Sequence, residues 1–152
     1  MKRTIFLFAL FSVSCLFNCG GGTKESHEAV EQKLWDDMMV IHDKVMPSMG
    51  DIFKYSKSLQ TYLDTTEAVD PGLRTEIEGT IEQLNQADDG MMDWMAALKQ
   101  PAELKKTKSQ QEVIEYLKSE SEKIKVVKQK MEESIEAGRE MVNKLTPVEV
   151  QE

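Results

Sequence analysis

At 152 residues the chain has room for one domain and little besides. Charged residues make up 30% and aromatics 7%, and with only eight glycines and four prolines the balance favours helix over sheet or disorder. The formal net charge of −8 makes nucleic acid and anionic lipid headgroups poor partners, because an acidic surface repels both.

Met1 to Phe17 reads as an export signal. Lys2 and Arg3 form a short positive start, and an apolar run from Ile5 to Phe17 follows that is too short to span a membrane comfortably. The run ends at Leu16-Phe17-Asn18-Cys19, directly before Gly20-Gly21-Gly22. This spacing resembles a bacterial lipobox, with Leu16 in the favoured position three before the cysteine. Phe17 and Asn18 depart from the usual small residues. The expectation is a signal peptide over residues 1–18 and lipid on Cys19, with residues 19–25 as the anchor and a glycine-rich tether that gives the domain slack. Cys15 is the competing acceptor, preceded by Ser14 but followed by no tether. Cys15 and Cys19 are the only cysteines, so the mature domain offers neither thiol chemistry nor a cysteine metal site.

From Ser26, a candidate N-cap, the apolar spacing becomes that of an amphipathic helix. Leu34, Met38, Ile41, Val45, Met49, Ile52, Ser56, Leu59 and Leu63 recur three or four apart, and Trp35, Met39, His42, Met46 and Phe53 form a neighbouring stripe. Pro47 interrupts the pattern at a cost of about 3 kcal/mol for a mid-helix position, yet the apolar phase runs on without a slip. The expectation is a kinked helix. Two helices meeting at Pro47 is the alternative. Asp70-Pro71 opens the next helix as N-cap and first turn, and Pro101 marks its end. Ser109 and Glu112 have capping-box spacing for a last helix. Val113, Leu117, Glu120, Ile124, Val127, Met131, Ser134 and Gly138 then alternate in steps of four and three, with Glu120, Ser134 and Gly138 interrupting an otherwise apolar seam.

The expected fold is therefore all-α. It is an antiparallel up-down-up bundle over residues 26–146, built from three helices of about 39, 28 and 37 residues, roughly 40 to 60 Å long at 1.5 Å per residue. A four-helix bundle is the alternative if the first helix breaks at Pro47. Residues 147–152 form a frayed tail.

Short connections set an expected register. A first loop centred near residue 68 places His42 level with Trp94 and Met46 with Gly90, so Met91-Met92-Asp93-Trp94-Met95 shares a layer with Met38 to Gly50. A second loop near residue 104 brings Glu112 to Tyr116 to the same level. Imidazole and thioether suit Cu(I), so His42 with Met38, Met39, Met46 and Met92 is a candidate copper site. The plainer reading is that these methionines fill irregular core space around the kink, with His42 hydrogen-bonded to a neighbouring helix through Tyr116. Neighbouring acidic pairs such as Asp36-Asp37 and Asp88-Asp89 point about 100° apart on a helix and make poor acid–base dyads. With no phosphate loop, zinc motif or nucleophile–base pair, no catalytic residue is assigned and no enzyme is expected.

Residues Trp35 to Gly50, with His42-Asp43-Lys44-Val45-Met46-Pro47, and Met91 to Met95 resemble small lipoproteins of Bacteroidota and related bacteria, often labelled as similar to viral A-type inclusion protein. The resemblance implies a lipoprotein with a helical domain and carries no activity or functional residue with it. The expected role is a non-enzymatic lipoprotein, lipid-anchored on the periplasmic side of either membrane or at the cell surface. Its bundle would be structural or contact an envelope protein, and an envelope Cu(I) binder is the alternative.

Overall fold

The computed structural model describes residues 24–146, with side chains from Ser26 onward. The leader, Cys15, Cys19, most of the glycine tether and the tail at 147–152 lie outside the described residues. Within them the fold is all-α, with 88% of residues helical and no strand. The elements are α1 (Lys24–Val45), a 3₁₀ turn (Met46–Ser48), α2 (Met49–Thr65), α3 (Pro71–Ala97), α4 (Pro101–Leu104) and α5 (Gln110–Leu145). The helices α1, α2, α3 and α5 pack against one another. None of the described helices is long and apolar enough to cross a membrane.

The core positions recur in sevens. Met38, Val45, Ile52 and Leu59 are buried along α1 and α2; Ile77, Leu84 and Met91, with Thr80, Ala87 and Trp94, are buried along α3. On α5 Leu117, Ile124 and Met131 form one such stripe, and Val113, Glu120 and Ser134 lie on a second. A seven-residue repeat is 3.5 residues per turn, which keeps a seam facing its neighbours only if the helices coil gently around one another. The α1–α2 stripe keeps this count straight through Pro47. The backbone there stays in the right-handed helical region, with φ/ψ of −98°/−21° at Val45, −72°/−11° at Ser48 and −55°/−35° at Met49. Proline therefore costs the helix a 3₁₀ turn and no reversal of the chain.

Local signals place the ends. Asp70 caps α3 by accepting from the backbone N–H of Gly72 (2.9 Å) and Leu73 (3.0 Å), with Pro71 at the first helical position. Ser109 and Glu112 form a full capping box on α5. At the start of α1 the helix already runs from Lys24, so Ser26 lies inside the first turn and is not the N-cap. Pro101 also differs from expectation. The α3 helix has already ended at Ala97, and Pro101 opens α4, whose Leu104 is buried. A proline lacks only an N–H that the first turn of a helix does not use, so it starts a helix as readily as it stops one.

Candidate functional site

The layer where the two methionine clusters meet lies at the 3₁₀ turn, between the end of α1 and the last turns of α3. Met38 and Met91 are fully buried, and Met39, Met46, Met49 and Met95 pack half-buried against the core. Met92 faces away and is 52% exposed. The His42 ring lies 6.1 Å from that of Trp94, tilted by 35°, as the first loop register expects.

His42 keeps both nitrogens engaged. Nδ1 lies 2.9 Å from Asp43 Oδ1, and Nε2 lies 3.2 Å from Met95 Sδ. A carboxylate oxygen only accepts, so the Asp43 contact requires the proton on Nδ1. A neutral imidazole so arranged turns the Nε2 lone pair onto the thioether, which also offers lone pairs. A second proton on Nε2, or a soft cation between Nε2 and Sδ, satisfies both contacts. Sequence spacing put Met92 in this set, and helix phase explains the correction. Met95 continues the inward series of Met91, four residues on, whereas Met92 is turned about 100° from it. Of the other candidates, Met38 is committed to the core, while Met39 and Met46 remain on the turns beside His42. Among the described residues no group of three or more His, Cys, Asp or Glu side chains could hold a metal ion.

Tyr116 is not the partner of His42. Its hydroxyl accepts from the Lys99 N–H (2.8 Å) and donates to the Ala97 carbonyl (3.5 Å), so it closes the C-terminal end of α3. The α5 residues that line a groove with Trp94 include Ser119, Glu120 and Lys123, further along the helix than the Glu112 to Tyr116 segment that the second loop register places there. The cause is the connection itself. Residues 98–109 contain α4, and its Leu104 packs into the core, so α5 begins beyond the end of α3. There Lys105 meets Glu31 near the start of α1.

One polar side chain enters the apolar core near this level. Glu120 occupies a core position at 3% exposure and takes Lys123 Nζ on Oε1 at 2.7 Å, while its Oε2 is buried without a hydrogen-bond partner. The ammonium of Lys123 is held above its ordinary pKa first by that hydrogen bond and then by the carboxylate charge. Trp94 Nε1 is likewise buried and unpartnered. Sequence reasoning placed Glu120 on the seam without giving it a role, because its spacing is legible and its neighbours across the bundle are not. Compared with family models, curated proteins and solved structures, the chain matches none.

Proposed function

We propose that the chain is a non-enzymatic lipoprotein, attached to a bacterial envelope membrane through lipid on Cys19, whose helical bundle serves a structural or protein-interaction role. The observation that carries this reading is the join between signal and fold. Gly20-Gly21-Gly22-Thr23 separates the lipobox-like cysteine from a helix that begins at Lys24, and no described helix could cross a bilayer in its place. In this reading the domain is an up-down-up bundle of three long arms, the first kinked at Pro47. Helical backbone angles through the 3₁₀ turn support it, as do the pairing of Glu31 with Lys105 and of Tyr55 with Gly138 in one chain direction. The acidic exterior of such a rod favours a protein partner over nucleic acid. Labelling cells with a fatty-acid analogue tests the anchor. The protein takes up label and Cys19→Ser loses it. Label retained by Cys19→Ser would move the lipid to Cys15, and a wild-type chain without label would sink the lipoprotein reading.

A second reading, a Cu(I)-binding protein of the envelope, is favoured by the single contact between His42 Nε2 and Met95 Sδ. Imidazole nitrogen and thioether are ligands that suit Cu(I), and Asp43 would hold the ring by its far nitrogen, as carboxylates do for metal-bound histidines. Met39 or Met46 would complete the set. Competition titration with a Cu(I) chelator is the test. Tight binding that is lost in both His42→Ala and Met95→Leu supports the site, whereas submillimolar or weaker binding indifferent to His42→Ala ends it.

A further inference from the structure

Two contacts bracket one side of the bundle. His42 Nε2 lies 3.2 Å from Met95 Sδ, and Ser56 Oγ donates to Asn85 Oδ1 at 3.1 Å, so both pairs mark where α1 and α2 run beside α3. Between them the helical period brings Met46, Met49 and Phe53 to the same side of that arm, in steps of four, three and four from His42. Met92 takes the facing position on α3, three residues before Met95 and seven after Asn85. This stretch is open. Phe53 is 67% exposed and Met92 52%, while Met46 and Met49 are half-buried against the core beneath them. Such a run differs from apolar residues scattered singly over a surface, and methionine's flexible thioether adapts to the apolar surface that covers it.

Charge identifies the occupant. Beyond Asn85 the same side continues as a hollow of about 350 Å³, where Gln60 stands with Glu78, Glu82 and Asp89 and no lysine or arginine lines the wall. Glu78 has Arg74 at 3.6 Å, Glu82 accepts from the neutral amide of Gln86, and Asp89 has no ion-pair partner among the described residues. Lys57 of α2 lies over the Phe53 ring, 5.8 Å from its centroid, and pairs with none of these carboxylates. The side is thus apolar along one part and acidic along the next. A helix with apolar residues three and four apart fits the first part, and lysine or arginine beyond them fits the second. The bracketed stretch runs ten residues on α3 and fourteen on the facing arm, about 15–21 Å at 1.5 Å per residue, which suits a docked helix of three to four turns. We propose that this side of the bundle docks a basic amphipathic helix of a protein partner, its apolar face on Met46, Met49, Phe53 and Met92 and its cations towards Glu82 and Asp89. The proposal rests on the protein-interaction role given to the bundle above and needs neither the lipid nor copper.

The probe is a synthetic amphipathic helix of leucine and lysine, with a leucine–glutamate helix as its counterpart. Titrated into the purified protein carrying methyl-labelled methionine, the lysine helix shifts the Met46, Met49 and Met92 methyl resonances saturably and leaves that of buried Met131 in place. The glutamate helix binds at least about tenfold more weakly. Phe53→Ser with Met92→Ser weakens the lysine helix by about tenfold or more, and both positions are exposed enough to leave the helical circular dichroism unchanged. Glu82→Gln with Asp89→Asn weakens it about fivefold, whereas Asp36→Asn with Asp37→Asn, the same charge removed from α1, leaves it alone. Equal losses in the two charge pairs would mean general attraction to an acidic protein and would overturn the proposal. So would an unmoved Met92 methyl, or undiminished binding after Phe53→Ser with Met92→Ser. A dimer in sedimentation that the same two substitutions dissolve would give this face to a second copy and overturn it too. A chain that takes no lipid label yet binds the helix supports the docking surface without the anchor, and a labelled chain that does not bind it leaves the anchor and overturns the docking surface.

Discussion

At Gly138 a Cβ would come 3.0 Å from the Cβ of Tyr55 and 3.1 Å from Leu84 Cδ1, so α2, α3 and α5 converge on a residue without a side chain. The φ of this glycine is not positive, so packing and not backbone geometry requires it. Gly79, in the middle of α3, has nothing within 4 Å of its own Cβ position. The two positions therefore respond in opposite senses. Gly138→Val overpacks the junction and destabilises by about 1–3 kcal/mol, whereas Gly79→Ala stabilises by about 0.5–1 kcal/mol through helix propensity, both read from urea unfolding. Sequence spacing put Gly138 on the seam of the last helix. Spacing could not say that this glycine is a point of close approach while Gly79 is dispensable, because the difference lies in what crosses from other helices.

Among the elements, α5 is the most fully specified by local chemistry. Ser109 accepts from the Glu112 N–H, and Glu112 Oε2 in return accepts from the Ser109 N–H at 2.8 Å and from its hydroxyl at 2.7 Å. These hydrogen bonds, the hydroxyl's first, hold the Glu112 carboxyl below the ordinary carboxylate range. The folded state thus favours the ionised form. Its contribution is present at neutral pH and is lost as pH falls through the lowered folded-state value. Protection factors of the amides at the start of α5, corrected for the intrinsic pH dependence of exchange, should fall on acidification through that range, and the same step should be blunted in Ser109→Ala. That substitution should itself cost about 1 kcal/mol, the usual worth of an N-cap. Both ends of α5 and the start of α3 were legible because caps are local, read within four residues. The 3₁₀ turn at Pro47 and the helical turn α4 were less so. Each is a place where proline's local rule allows two outcomes and packing selects one.

At the scale of the molecule, Glu31 and Lys105 tie the start of α1 to the α4–α5 connection. The Glu31 carboxylate is 2% exposed, and Lys105 reaches it from a side chain that is 42% exposed. The contact pairs the charges without an aligned hydrogen bond, and both carboxylate oxygens lack one. Glu31 stands seven residues before Met38, at the first position of the core stripe, so the polar residue lies at an end where a cation can still reach it from solvent. Removing the lysine leaves a buried charge uncompensated, and removing the charge does not. Lys105→Met should therefore cost roughly 1–3 kcal/mol, less than the 3–5 kcal/mol seen for fully buried pairs, and should exceed the cost of Glu31→Gln in the same urea titration. The reverse order would mean that the carboxylate is not held by Lys105.

The sequence by itself determined the helical class, the ends set by Asp70, Pro71, Ser109 and Glu112, and the facing of His42 and Trp94. Each of these follows from short-range chemistry or from helical period combined with a short loop. Only the tertiary structure decided that Met95 and not Met92 meets His42, that Tyr116 closes α3, and that Glu120 shares a groove with Trp94. The first contact depends on the phase of α3 against α1, and the other two on where α5 starts relative to α3. Buried Leu104 fixes that offset, and a shift of one or two turns replaces every neighbour across an interface while leaving each helix unchanged.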